Sequence, residues 1–250
     1  MPIAHLPNGS RLHYERQGSG PAVLALAPGG LRSRAALWRQ THDGRARPWP
    51  DPVALLAPHF DVIAIDQRNA GHSWAPLRAS DGWDAYADDH IQLLDALGIE
   101  HFHILGACIG PSFALKLIER HPQRVRSAVL QQPIGHTDDN AALRHASFQE
   151  WAAGLPALGH QPDPAVLAAI EHNLFGGADF VLSVSRDSVR RSITPLLILP
   201  GDDARHPART SDELRALRPD AQWLSPWQGA DHAQAYAQTV LGFLQAHSAP

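Results

Sequence analysis

A cysteine between two glycines is the residue of this chain that is best placed for chemistry. Cys108 is the single cysteine among 250 residues, and it stands at the centre of Gly106-Ala107-Cys108-Ile109-Gly110. An apolar run precedes this pentapeptide and a helix-like run follows it. Small residues two positions either side of a nucleophile, between a strand and a helix, are typical of a nucleophile elbow. The pattern predicts that Cys108 is held at a sharp turn, ready to attack an electrophilic carbon.

A thiol gains reactivity at such a turn. The positive N-terminal end of the following helix favours the thiolate, and a nearby imidazole can accept the thiol proton. The alternative interpretation is a buried structural cysteine between glycines that are spaced by chance, because free cysteine is often simply buried. The position between strand and helix favours the nucleophile.

An acid and a base follow later in the chain, in the order nucleophile, carboxylate, imidazole. Asp202 and Asp203 come directly after a short apolar run, and His232 lies at the predicted start of the last helix. We predict that His232 takes the thiol proton and that an aspartate fixes its orientation. Either aspartate fits; we favour Asp203 because it begins Asp203-x-x-His206-Pro207.

Backbone amides near Cys108 are candidates for an oxyanion hole. The elbow offers the amide of Ile109, and the loop Pro28-Gly29-Gly30-Leu31 offers that of Gly30 or Leu31. Glycine in that loop would let a substrate approach the backbone. A plain turn after a strand is the alternative for the loop.

Short apolar runs alternate with helix-like segments and would position these groups. Strands are predicted over 12–16, 22–27, 61–66, 101–105, 125–130, 196–199 and 222–224, and helices over 83–97, 113–120, 207–217 and 232–245. Several of the strands are apolar throughout, which is typical of a parallel sheet covered on both faces. The fold class is therefore α/β, with a mostly parallel central sheet flanked by helices.

The alternation stops between residues 134 and 192, where helix-like pieces are separated by Gly and Pro. We interpret this segment as a helical cap inserted into a core of residues 1–133 and 193–250. Candidate substrate-binding residues are Gln132 at the end of a core strand, the aromatic residues Phe148, Trp151 and Phe175, and Arg32 and Arg34, which could meet a carboxylate. The alternatives are aromatic residues that pack the cap and arginines that lie on the surface.

Together these motifs resemble the α/β-hydrolase superfamily over nearly the whole chain. Asp66-x-Arg68-x-x-Gly71-x-Ser73 is similar to the Asp-x-Arg-Gly-x-Gly-x-Ser segment of many members, with Asn69 in place of the first glycine. Asparagine tolerates a positive φ better than most residues do. A cysteine nucleophile is similar to that of the dienelactone hydrolases. The resemblance implies a Cys108–His232–Asp203 triad and a cap that forms the substrate pocket.

The leading functional hypothesis is a hydrolase of a carboxylic ester, thioester or lactone that works through a Cys108 acyl-enzyme. The alternatives are an acyltransferase with the same triad, a carbon–carbon bond hydrolase or lyase, and a non-catalytic ligand-binding protein on the same fold. Because a fold does not fix a reaction, the sequence leaves these open.

Composition excludes several other classes. The formal net charge is −4 and no basic block is present, which speaks against nucleic acid and anionic membrane surfaces as partners. The 16 histidines show no metal-ligand spacing, so neither a metal nor a cofactor is expected. The N-terminus lacks the pattern of a secretory leader, and we expect a cytoplasmic protein, monomeric or homodimeric, that acts on a small molecule.

Overall fold

An eight-stranded sheet runs through the computed structural model, which describes residues 2–137 and 140–248. The strands are β1 (Ile3–His5), β2 (Arg11–Gln17), β3 (Ala22–Leu26), β4 (Asp61–Ile65), β5 (Phe102–Ala107), β6 (Val125–Gln131), β7 (Leu196–Leu199) and β8 (Gln222–Trp223). Their order across the sheet is β1-β2-β4-β3-β5-β6-β7-β8. β2 pairs antiparallel with β1 on one side and with β4 on the other, whereas the pairs from β4 through β3 and β5 to β8 are all parallel.

Helices cover both faces of the sheet. They are α1 (Pro52–Leu56), α2 (Trp83–Ala96), α3 (Gly110–Arg120), α4 (Ala141–Gly154), α5 (Pro164–Phe175), α6 (Arg186–Arg191), α7 (Ala208–Leu217) and α8 (Ala233–Ala246). Every residue of β3 and β4 is buried, because alternate side chains of these apolar strands enter two hydrophobic clusters, one on each face. The predicted mostly parallel sheet is therefore confirmed.

The strand and helix boundaries agree with the sequence pattern to within a few residues. The sequence predicted neither β1 nor α1, and α6 begins only at Arg186 behind the N-cap Ser185, although helix-like sequence starts earlier in this segment. Val181 and Ser183 instead lie in irregular chain that packs on α3, where the Ser112 hydroxyl donates to the carbonyl of Val181. The Ser185 side chain accepts the amide of Ser188, and such an N-cap bond determines where a helix begins more strongly than apolar periodicity does.

The segment that we call the cap, residues 134–192, holds α4, α5 and α6, and its described residues contain no strand. Two indole groups tie it to the loops at the carboxyl edge of the sheet. Nε1 of Trp151 donates to the carbonyl of Asn69, and Nε1 of Trp83 donates to the carbonyl of Leu174. These bonds place the cap above the edge at which Cys108 lies.

Among the described residues, no helix combines the length and the apolar character that crossing a membrane requires.

Candidate active site

Cys108 occupies a strained turn between β5 and α3. Its φ is +62°, which is uncommon for a residue with a side chain. The turn is held by the Cys108 amide, which donates to the carbonyl of Gln131 at 3.0 Å, and by the Cys108 carbonyl, which accepts from Ile134. Cys108 is half-buried, and it lines a cavity under the cap. This is the geometry expected of an elbow that presents a nucleophile.

The flanking glycines are required by close contacts of the backbone. A Cβ on Gly106 would lie 2.6 Å from the carbonyl carbon of Gly110, and one on Gly110 would lie 2.6 Å from the carbonyl oxygen of Leu26. Both distances are shorter than van der Waals contact. The glycine spacing is thus a consequence of how tightly β5, α3 and β3 meet at the turn.

The loop after β7 brings an imidazole to the cavity and a carboxylate that holds the imidazole. The oxygens of Asp203 lie 2.8 and 3.0 Å from Nδ1 of His206. The same carboxylate accepts the amides of Arg205 and His206, so a single turn orients both side chains. Gly201 lets this loop fold back, because a Cβ there would lie 2.4 Å from Cβ of His206.

The imidazole of His206 and the thiol of Cys108 form a charge-coupled pair. Burial would raise the pKa of Cys108, but the charge of His206 and the amides of Gly29 and Gly30 lower this pKa to about 7. Burial opposes the charged form of His206 as well, yet the charge of Cys108 and the Asp203 hydrogen bond raise its pKa to about 10. A thiolate beside an imidazolium is therefore favoured at neutral pH.

Nε2 of His206 is buried, and among the described residues no hydrogen bond of standard geometry reaches it. The charge of His206 lowers the pKa of Cys108 more than the hydrogen-bond contact between the two side chains does. The hydrogen bond from His206 in turn lowers the pKa of Asp203 well below its usual range. Asp203 stays ionised and holds the Nδ1 proton of the imidazole, which leaves Nε2 as the atom that faces the thiol.

His232 is not the imidazole beside Cys108, and this corrects the expectation from sequence. It ends the short 3-10 turn Ala230–His232, and it is not among the described residues that line the cavity. The loop after β8 reaches the site through Gln228, whose amide donates to Oε1 of Gln132. A signal for His206 was present in the Asp203-x-x-His206 spacing, but the prediction took the histidine at the start of the last helix.

The loop after β3 supplies amides next to the sulfur. Gly29 and Gly30 have φ values of +128° and +61°, and their N–H groups point to Cys108. A Cβ on Gly30 would lie 2.8 Å from the hydroxyl oxygen of Ser147 in the cap. Ile109, expected as the other amide donor, lines the same cavity. The expected oxyanion donors thus lie around the thiol, with Gly29 added to them.

The cavity has a volume of about 530 Å³, the size of a pocket for a small molecule. Gln132 and Phe175 line it, as does Arg32, which is ion-paired with Glu150. Trp151 is not among the described lining residues. It is buried, and it packs on Phe148 while its indole holds the cap to Asn69. The Trp151 indole therefore packs the cap, which was the alternative to substrate binding for this residue.

Asn69 replaces a glycine of the superfamily pattern and keeps the turn. Its φ is +56°, as the tolerance of asparagine for this region predicts. Its side-chain oxygen accepts the amide of Ala75 at 2.8 Å and lies 2.9 Å from Nε2 of His160 in the cap. The substitution therefore adds contacts to the cap that a glycine cannot make.

Within the described residues, one group has the spacing of metal ligands: His13, Asp66 and His72. Oδ1 of Asp66 accepts the amide of Ala35, and Oδ2 accepts that of His72. Nδ1 of His13 lies 3.0 Å from Oδ2. Both carboxylate oxygens are thus already engaged by the backbone, and the group joins β2 to the turn after β4.

Solved structures with the same architecture include enzymes. A meta-cleavage product hydrolase from Pseudomonas fluorescens superposes with a TM-score of 0.70 at 20% identity, covering 98% of both chains. An enol-lactonase from Burkholderia xenovorans gives a TM-score of 0.67 at 22% identity, covering 98% of this chain and all of that one. At these identities the likeness concerns the fold.

Sequence comparison agrees with the fold. A putative carbamate hydrolase, RutD, of Variovorax paradoxus is 36% identical over 119 residues, which are 48% of this chain and 41% of that protein. The chain spans about half the length of the curated relatives it matches. A family model described as the alpha/beta hydrolase fold matches residues 44–197, which is more than half of the chain. The chain therefore belongs to the alpha/beta hydrolase fold family.

Proposed function

We propose that this protein is a hydrolase of a carboxylic ester, thioester or lactone, and that its nucleophile is the thiolate of Cys108. The observation that carries the proposal is the Cys108–His206–Asp203 arrangement at the floor of the cavity. The cysteine stands at a strained turn, its imidazole partner is oriented by a carboxylate 2.8 Å away, and amides surround the sulfur. Each of these features serves acyl transfer to a thiol.

In the first half of the reaction, the thiolate attacks the carbonyl carbon and a C–S bond forms. The carbonyl oxygen becomes an oxyanion, for which Gly30 and Ile109 offer amide donors. The tetrahedral intermediate collapses as the bond to the leaving group breaks. The imidazolium of His206 gives its Nε2 proton to the departing oxygen or sulfur, so that the alcohol or thiol leaves neutral.

In the second half, neutral His206 takes a proton from water and the resulting hydroxide attacks the thioester. The second tetrahedral intermediate releases the carboxylic acid, and the thiolate leaves to face the imidazolium again. Asp203 stays ionised throughout and keeps the imidazole in the tautomer with the proton on Nδ1. The resting thiolate–imidazolium pair is thereby restored.

The names of related proteins support acyl chemistry of this kind. The relative from Variovorax paradoxus is named a putative carbamate hydrolase, and the structural neighbour from Burkholderia xenovorans is an enol-lactonase. Both names denote cleavage next to a carbonyl group. The thiol of Cys108 also makes acyl transfer to a second nucleophile an alternative, since a thioester passes its acyl group readily to amines and thiols.

The test is a panel of small esters, thioesters and lactones, followed by mass spectrometry of the Cys108 peptide after rapid acid quench. We expect turnover of at least one class and an acyl mass on that peptide. The Cys108→Ala variant is expected to lose turnover by a factor of about 10³ or more. Full turnover by this variant would overturn the proposal. Acyl transfer is separated by adding an alcohol or thiol acceptor and measuring whether a new ester replaces the acid.

A further inference from the structure

The cavity carries more positive charge than its own carboxylates neutralise. Arginines and carboxylates both line it: Arg32, Arg45, Arg47, Arg144 and Arg205 against Asp43 and Glu150. Each carboxylate is already paired, Asp43 with Arg45 and Glu150 with Arg32. Among the described residues, neither Arg47 nor Arg144 forms an ion pair with a carboxylate within 4 Å. The cavity thus holds unneutralised guanidinium groups beside a nucleophile.

Arg47 is fixed in position with its terminal nitrogens unused. Nε donates to the carbonyl of Leu37 at 2.9 Å, and the guanidinium carbon lies 5.3 Å from the centre of the Trp49 ring. No hydrogen bond to a described residue engages its two Nη atoms. The group is half-buried, and it is near enough to Cys108 for the two charges to interact. Burial lowers the pKa of Arg47, and the charges of Cys108 and Asp43 offset this lowering only in part.

Arg144 approaches the cavity from the cap. It lies on α4, where its Nη1 donates to the side chain of Asn140, its Nη2 lies 3.4 Å from Nε2 of His136, and its buried Nε has no partner among the described residues. Burial lowers the pKa of Arg144 as well. The two arginines come from different parts of the chain, one from the loop before α1 and one from the cap, and both line the same cavity as Cys108.

We infer that the cavity binds a substrate with an anionic oxyacid group besides its reacting carbonyl, and that Arg47, with Arg144, holds this group. Guanidinium groups bind carboxylates and phosphates through paired N–H donors, and such bonds gain strength where water is partly excluded. A partly buried cation without a carboxylate partner is costly unless a ligand provides the negative charge. The inference rests on the proposed function for the identity of the reacting group, but the anion subsite itself does not require turnover.

The subsite can be tested by chemical labelling of Cys108, without any substrate. Iodoacetate and iodoacetamide differ in charge but attack the same thiolate, so the ratio of their rate constants cancels the thiolate fraction. We expect this ratio to be about tenfold higher for the protein than for a free thiol in solution, because bonds to charged groups contribute about this factor or more. The Arg47→Gln variant is expected to lose most of the preference, and Arg144→Gln a part of it.

Arg190 provides the matched control. It is an exposed arginine on α6, paired with Asp187 and absent from the cavity lining. The Arg190→Gln variant is expected to keep the ratio of the parent protein. If the parent shows no preference for iodoacetate over the free thiol, or if Arg47→Gln keeps the full preference, the inference is wrong.

Competitors identify the anion. Succinate and inorganic phosphate are added separately while iodoacetamide labels Cys108, with neutral succinamide as reference. Slower labelling with succinate indicates a carboxylate, and slower labelling with phosphate indicates a phosphoryl group. Equal rates with both anions and with succinamide would contradict the subsite.

A turnover comparison separates this inference from the proposed function. A substrate found in the ester panel is compared with its analogue that carries a free carboxylate at the far end. We expect kcat/KM to be about tenfold higher for the anionic analogue and this difference to shrink in Arg47→Gln. Turnover without charge preference keeps the proposed function and overturns the subsite. Charge-dependent labelling without turnover of any ester does the reverse.

Discussion

The carboxylate of Asp203 lies 2.8 Å from Nδ1 of His206, three residues further along the same loop. Both side chains come from a single turn after β7, which is closed by the Asp203 oxygen that accepts the amides of Arg205 and His206. The proposed acid and base thus belong to one loop, and His232 in the loop after β8 takes no part in the proposed mechanism.

The first prediction separates the two histidines. His206→Ala removes the group that stabilises the thiolate and returns protons, so we expect kcat/KM to fall by about 10²–10⁴. His232→Ala leaves the site intact and should stay near the parent value. Steady-state kinetics on a substrate from the panel gives the comparison. A large loss in His232→Ala together with an active His206→Ala would restore the order expected from sequence.

The second prediction concerns pH. Alkylation of Cys108 by iodoacetamide requires the thiolate, so its rate should rise with pH around a midpoint of about 7, below the ordinary thiol value of about 8.5. Turnover also requires protonated His206, whose pKa is raised to about 10, so activity should fall on the alkaline side near that value. The alkylation midpoint is measured by mass spectrometry of Cys108 labelling at a series of pH values from about 5 to about 10.

The same measurement in His206→Ala tests whether the imidazolium causes the low pKa of Cys108. Without the imidazolium, burial still raises the pKa of the thiol while the largest opposing charge is gone, so the midpoint should move upward. An unchanged midpoint in this variant would show that the helix end and the amides of Gly29 and Gly30 alone set the acidity of Cys108.

The third prediction uses two neighbouring carboxylates. Asp203→Asn keeps the size of the side chain but removes the charge that holds the Nδ1 proton of His206, and we expect kcat/KM to fall on the order of 10²-fold. Asp202→Asn alters a carboxylate for which the structure shows no bond to His206, and it serves as the matched control. Comparable losses in both variants would indicate a general effect of loop charge instead of orientation of the imidazole.

The fourth prediction concerns the glycines of the elbow. Gly106→Ala and Gly110→Ala place a Cβ at 2.6 Å from backbone atoms that cannot swing away, so each should lower the free energy of unfolding by about 1–3 kcal/mol. Gly242→Ala, in α8 with no atom within 4 Å of the added Cβ, should instead stabilise by roughly 0.5–1 kcal/mol. Urea denaturation followed by circular dichroism measures all three, and a neutral Gly106→Ala would contradict the close packing.

Sequence pattern was sufficient for the strands β2 to β8, but it did not predict β1. Runs such as Asp61–Ile65 are buried on both faces, so their composition reveals their environment, and the glycines around Cys108 reveal a crowded turn. Such features are local, because the buried strand or the crowded turn restricts which residue types can stand at those same few positions. The sequence by itself therefore determined the α/β class, the order of the elements other than β1 and α1, and the position of the thiol at the elbow.

Tertiary structure decided which imidazole meets that thiol and what charge surrounds it. His206 and His232 both follow a strand and both fit the chain order, but only folding of the loop after β7 around Gly201 brings an imidazole to the sulfur. Arg47 and Arg144 are 97 positions apart in the chain, and their common cavity exists only once the cap lies over the sheet. Residues that meet only through tertiary contacts have no characteristic separation in the sequence. For this reason the imidazole beside Cys108 and the arginines of the cavity were identified only from the structure.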